Sequence, residues 1–120
     1  MSVERLVEHI DRMQRAAEQA RALTEGLTKE TFLADVRTQL AVTMSLVLLG
    51  EAAARISTKH PDFVRDHPEI PWSKINGMRN LIVQDYDRAD LSVIWDTVRS
   101  DLADLVSKLQ AIRHWRIQGE

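Results

Sequence analysis

The chain has 120 residues, a formal net charge of −2 and no cysteine. A single domain of this length can bury a core without staples; the missing thiols exclude disulfide scaffolds, zinc–thiolate and iron–sulfur centres and cysteine nucleophiles, and the charge excludes bulk attraction to nucleic acid, leaving room only for a local basic patch. Apolar residues at 44% and charged residues at 28%, with four glycines and three prolines, describe a folded and turn-poor chain.

The N-terminal MSVERLVEHIDRM carries charges every few residues and does not read as a signal peptide. Residues 3–23 read as a first helix. Leu6, Ile10, Met13, Ala17 and Ala20 make one apolar stripe, with Arg5, Glu8, Arg12, Arg15 and Glu18 on the other faces and Gly26 as terminator. Thr28 is placed to cap a second helix with Glu30 near its positive end, running to about Ser57. Such a helix would be about 45 Å long if straight, so a kink or break is expected near Ala34–Asp35. Its middle, LAVTMSLVLLG from Leu40 to Gly50, is too short at eleven residues to span a bilayer. It is also apolar nearly all round, where a bundle core uses one stripe. A second buried face at a two-fold subunit interface is the favoured reading; the other is a helix fully wrapped by its own chain. Glu51 inside this stretch needs a partner, and Arg55 at i+4 is well placed to be it.

Residues 58–71, TKHPDFVRDHPEIP, read as irregular. Pro71 suits the first position of a third helix, Trp72 to about Val83. Asp90 caps a last helix, 91–114, with Leu91, Ile94, Trp95, Val98, Leu102, Leu105, Leu109 and Ile112 in a near-heptad stripe. The sum is an all-α antiparallel four-helix bundle, one domain over 1–114 with a tail at 115–120. His9, His60, His67 and His114 form no i,i+4 pair with one another or with a matched carboxylate set, so no metal site is read from them. Trp95 lies on the core stripe and Trp72 reads as a packing anchor; Trp115 in the tail is uncommitted.

The segment GMRNLIVQDYDRADLSVIWDTV, Gly77 to Val98, goes further, together with LTKETFLAD, GEAAARIS and HPEIPWSKINGMRN. Over nearly its whole length the chain resembles the HEPN superfamily, and within it the HepT toxins that pair with MntA-type minimal nucleotidyltransferases. That family shows Arg, four to six residues, His, one residue, Tyr. Here Arg79 is followed by four residues, then Gln84, Asp85 and Tyr86. The second helix departs too, being apolar or small at Leu40, Met44, Ser45 and Val47 where family members often carry charged or amide side chains.

The resemblance implies a homodimeric, cytoplasmic toxin of a type II-like toxin–antitoxin module that cuts RNA, tRNA foremost, without a metal. The RNA's own 2′-hydroxyl would attack the adjacent phosphate. Arg79 would hold the phosphate in its transition state, and the residue at position 84 would shuttle a proton, which a carboxamide does not do. Tyr86, the single tyrosine, would accept AMP from the nucleotidyltransferase, to which ATP and magnesium would belong. The chain itself would need no cofactor, and neither membrane nor DNA is an implied partner. Asn80 and Asp85 stand as supporting residues, and Glu51 too if it orients Arg79 instead of pairing with Arg55. His67 is a remote candidate for a substitute shuttle.

Plainer readings stand beside these: Arg79 as a surface arginine paired with a carboxylate, Tyr86 as a loop anchor, and Gln84 bonded to loop backbone. Arg79 and Tyr86 would share a face of a continuous helix, about 10 Å apart along its axis, with Gln84 rotated about 140° away. The three converge only if the helix ends near Val83 or if two chains combine. Gln84 also opens an alternative function, a catalytically inactive HEPN module that docks a nucleotidyltransferase and holds RNA. An unrelated dimeric bundle is a third reading.

Overall fold

The computed structural model describes residues 3–119, with side chains from residue 5 to residue 112. The order is α1 (Val3–Leu23), α2 (Lys29–Leu33), α3 (Val36–Lys59), α4 (Pro61–Asp66), α5 (Trp72–Gln84), a 3₁₀ turn (Tyr86–Arg88), α6 (Leu91–Asp96), a π turn (Thr97–Asp101) and α7 (Leu102–Gly119). Among the described residues there is no strand. Four long helical runs make the bundle. Helix α1 packs on α3 and α7, α5 packs on the other side of α3, and α2 closes against α3 and α6.

Local chemistry explains most boundaries. Gly26 takes a φ of +79° after α1, a region that suits glycine. Thr28 and Thr31 form a reciprocal cap: the Thr31 amide donates to the Thr28 hydroxyl at 3.1 Å, and the Thr28 amide to the Thr31 hydroxyl at 2.9 Å. The expected break at Ala34–Asp35 is there. Asp35 caps α3 by accepting from the Thr38 amide at 3.1 Å and its hydroxyl at 2.6 Å, and these bonds hold the Asp35 carboxyl below its ordinary value. Buried Gln39 donates to the Phe32 carbonyl at 2.9 Å beside the Asp35 amide at 3.1 Å, which ties the first turn of α3 to the end of α2. Asp90 caps α6 through the Ser92 and Val93 amides, as expected.

Several expectations need correction. Residues 58–71 are not irregular throughout, because Pro61 starts α4 and Phe63 anchors it in the core. Pro71 stands at the N-cap of α5, not at its first helical position. The last helix widens into the π turn at Thr97–Asp101, which periodicity alone does not reveal. Its stripe still buries Ile94, Val98, Leu102, Leu105, Leu109 and Ile112, whereas Trp95 is only partly buried, its ring centroid 5.4 Å from that of Phe32. Trp72 is the anchor expected, buried and donating from its indole to the His67 carbonyl at 2.9 Å. The α7 backbone continues past the boundary drawn at residue 114; the side chains of His114 and Trp115 lie outside the described residues.

Helix α3 is the centre of the bundle. Ala16, Ala17 and Ala20 on α1 leave room for close approach, and Val42, Ala53 and Ile56 of α3 are fully enclosed. By length and composition α3 reaches the threshold for a bilayer crossing, since the alanines after Glu51 extend the apolar run; half of that stretch is buried in the bundle. Its outer face is the unusual one. Val36, Leu40, Met44 and Leu48 succeed one another at i+4, with 64, 53, 57 and 49% of their surface exposed.

Candidate functional site around Arg79

The site begins with how closely α5 lies on α3. A methyl group at Gly50 would come within 2.6 Å of Arg79 Cγ and closer still to its Cβ. Only a residue without a side chain lets the Arg79 stem cross α3 at that level. Arg79 is thereby held beside Glu51, the next residue of α3. Arg79 Nη2 donates to Glu51 Oε1 at 2.8 Å, and Nη1 to Asn80 Oδ1 at 2.8 Å. The bond and charge of Arg79 hold the Glu51 carboxyl below its ordinary value, with a smaller contribution from Arg55. Glu51 therefore pairs with Arg79 and not with Arg55: the i+4 rule counts neighbours on one helix, and here the neighbouring helix supplies a nearer guanidinium.

A guanidinium has five N–H donors, and these two bonds leave three. One of them, on Nε, is buried without a partner. Arg79 is thus a fixed cation with unspent donors. Five positions on, α5 ends at Gln84, and Asp85 leaves the helix with its amide still bonded to the Leu81 carbonyl at 2.9 Å.

The profile of the ribonuclease HepT-like family matches residues 13–112. The chain belongs to the HepT-like ribonuclease family. It is 35% identical over 106 residues to a protein named probable ribonuclease HepT in Thermococcus cleftensis, which covers 88% of this chain and 94% of that one. An RNase-named protein of Methanocaldococcus jannaschii is 29% identical over 74% of this chain and 71% of its own. Another, of Caldanaerobacter subterraneus, is 27% identical over 73% and 76%. No solved structure matches.

In this HepT-like ribonuclease the fold brings together Glu51, Arg79 and Asn80. It does not bring Gln84 to them. At i+5 on the same helix, Gln84 is rotated about 140° from Arg79, is exposed, and makes no side-chain hydrogen bond among the described residues. The loop-backbone bond considered for it is not made. Tyr86 opens the 3₁₀ turn half-buried against the core, and Asp85 sits 3.8 Å from Arg88 across that turn. The helix ends where convergence requires, yet one copy of the chain leaves Arg79 and Gln84 on different faces. His67 precedes α5, at the opposite end of that helix from Gln84, bonded to Glu69 at 2.9 Å and stacked on Phe63 at 4.3 Å. It is not brought to Gln84. Among the described residues no three His, Asp or Glu side chains group as a metal site would.

Sequence reasoning missed Gly50. Its signal was there: a glycine in mid-helix costs about 1 kcal/mol relative to alanine and calls for a packing reason.

Proposed function

We propose that this HepT-like chain is the toxin subunit of a toxin–antitoxin pair, a homodimeric endoribonuclease that acts on tRNA without a metal and is silenced by AMP transfer to Tyr86. The reading rests on Arg79, whose guanidinium is oriented by Glu51 and Asn80 and keeps three donors unspent. The 2′-hydroxyl attacks the neighbouring phosphorus and gives its proton to water, the bond to the 5′-oxygen breaks, and that oxygen takes a proton from water, leaving a 2′,3′-cyclic phosphate and a 5′-hydroxyl. Arg79 binds the phosphate oxygens as their negative charge grows.

Support for the dimer comes from the exposed apolar face of α3, which ends against Glu51. A two-fold axis along that face would set two Arg79 groups near one groove. Tyr86 stands in the exposed turn after α5, accessible to a partner enzyme. Its phenol oxygen would attack the α-phosphorus of ATP, pyrophosphate would leave, and a base of the MntA-type nucleotidyltransferase would take the proton. ATP and magnesium belong to that partner, and the pair acts in the cytoplasm.

Gln84 favours a second reading, a binding module that holds RNA without cutting it, because an exposed carboxamide transfers no proton. The test expresses the chain without its partner, as it stands and as Gln84→His, Arg79→Ala and the double variant, each incubated with total tRNA and chelator. Cleavage by the unaltered chain, lost in Arg79→Ala, supports the nuclease. Cleavage only by Gln84→His, again lost without Arg79, makes the chain a member silenced at one position. No cleavage by any variant leaves the binding module as the function.

A further inference from the structure

On the side of Glu51 that faces α1 lies a cavity of about 470 Å³, walled by Arg12 and Arg15 of α1 and by Arg55 of α3. Arg12 and Arg15 are one turn apart on α1, so both reach the same side of it. Ala16 and Ala52 supply an apolar floor, and Leu48 stands at the edge shared with the outer face of α3. The carboxylate in the cavity is that of Glu51, already bonded to Arg79. None of the three arginines forms an ion pair among the described residues. Three guanidinium groups thus line one cleft whose lining holds a single carboxylate, Glu51, bonded to Arg79, on a protein whose net charge is −2.

We propose that this cleft between α1 and α3 binds the backbone phosphate of single-stranded RNA next to the phosphate engaged by Arg79. The argument is contiguity and chemistry together. Glu51 forms the shared wall, so a strand leaving Arg79 across it reaches the cleft that Arg12, Arg15 and Arg55 line. Planar guanidinium forks match phosphate oxygens, and the apolar floor suits a ribose or the face of a base. Buried His9 on the neighbouring turn of α1 feels the same field. After burial itself, Arg12 and Arg55 are foremost among the charges that hold its imidazole below the ordinary value. The proposal rests on the ribonuclease reading for the identity of the ligand, and it concerns binding, not the bond broken.

The probe is a fluorescein-labelled 2′-O-methyl oligouridylate of about 12 nucleotides, which lacks the attacking hydroxyl and so is not cut. Its anisotropy is titrated with the full chain between about 50 and 200 mM KCl. Each phosphate neutralised on a single strand contributes about −0.7 to the slope of log affinity against log salt. The triple variant Arg12→Gln, Arg15→Gln, Arg55→Gln should lose about 0.7 from that slope, for the one phosphate held there, and at least about tenfold in affinity at the lowest salt. The matching triple lysine variant should keep the slope, and both should keep the helical circular dichroism, since all three side chains are exposed. A slope unmoved in the glutamine variant, equal losses in both variants, or no binding by the unaltered chain overturns the proposal. The tRNA assay reports separately: Arg79-dependent cleavage with an unmoved slope sinks the cleft alone, and a lost slope without cleavage by any variant sinks the nuclease alone.

Discussion

Glu51 and Arg79 are 28 positions apart in the chain, yet their side chains meet at 2.8 Å. Gly50, one residue before Glu51, is what brings α5 near enough for the bond to form. Both partners are partly exposed, Arg79 at 28% and Glu51 at 43%. A pair so wetted adds little net stability, and its consequence is orientation. An arginine free to swing would spend rotamer entropy on every phosphate it met; one already held does not.

On the proposed nuclease reading, Glu51→Gln should therefore lower tRNA cleavage by about 10- to 100-fold while moving the melting temperature little. The loss should fall on the rate at saturating RNA more than on the Michaelis constant, because Arg79 remains but is misplaced. The carboxyl of Glu51 lies below its ordinary 4.5 when folded, so the pair persists above that pH and is lost as pH falls through the lowered value. Single-turnover rates of the two proteins at several pH values check both statements.

Gly50→Ala should destabilise by about 1–3 kcal/mol, although alanine is the better helix former, because its methyl overlaps the Arg79 stem. Removing that stem should reverse the sign. In an Arg79→Gly background the same change should stabilise by about 1 kcal/mol. A double-mutant cycle in urea measures the coupling, and simple additivity would rule out the close contact as the reason for the glycine.

His9 is buried with neither ring nitrogen bonded, and burial, followed by Arg12, Arg55, His60 and Lys59, lowers its affinity for a proton. The unfolded chain therefore binds a proton at 6.5 that the folded chain refuses. Stability attributable to His9 is complete above 6.5, declines as pH falls below it, and levels off under the folded value. The slope approaches about 1.4 kcal/mol per pH unit within that window. His9→Leu should flatten the urea midpoint between about pH 7 and pH 5 relative to the unaltered chain.

The outer face of α3 carries Leu40 and Met44 more than half exposed. If two copies pair there, Leu40→Glu with Met44→Glu buries like charges against each other, at a cost several-fold above thermal energy. Light scattering should then report half the mass of the unaltered chain and an unchanged helical spectrum. A mass that does not change would move the subunit contact elsewhere.

Much of the architecture was legible in the chain itself, because the forces behind it are local. The stripes at three- and four-residue steps, the Thr28 and Asp90 caps and the break at Ala34–Asp35 each depend on residues within a turn or two. The same holds for the end of α5 near Val83. Positions 79, 84 and 86 could be picked out by resemblance, and Arg79 and Glu51 as charges needing partners. The choice of partner was not local. Arg55 is the right answer for an isolated helix; α5 lying across Gly50 makes Arg79 the right answer for the protein. Packing likewise separates Gln84 from Arg79, leaves one face of α3 bare, and gathers Arg12, Arg15 and Arg55 around one cleft from two helices. These relations depend on which helix faces which and at what distance, quantities that a periodic pattern does not carry and that the burial of the core as a whole decides.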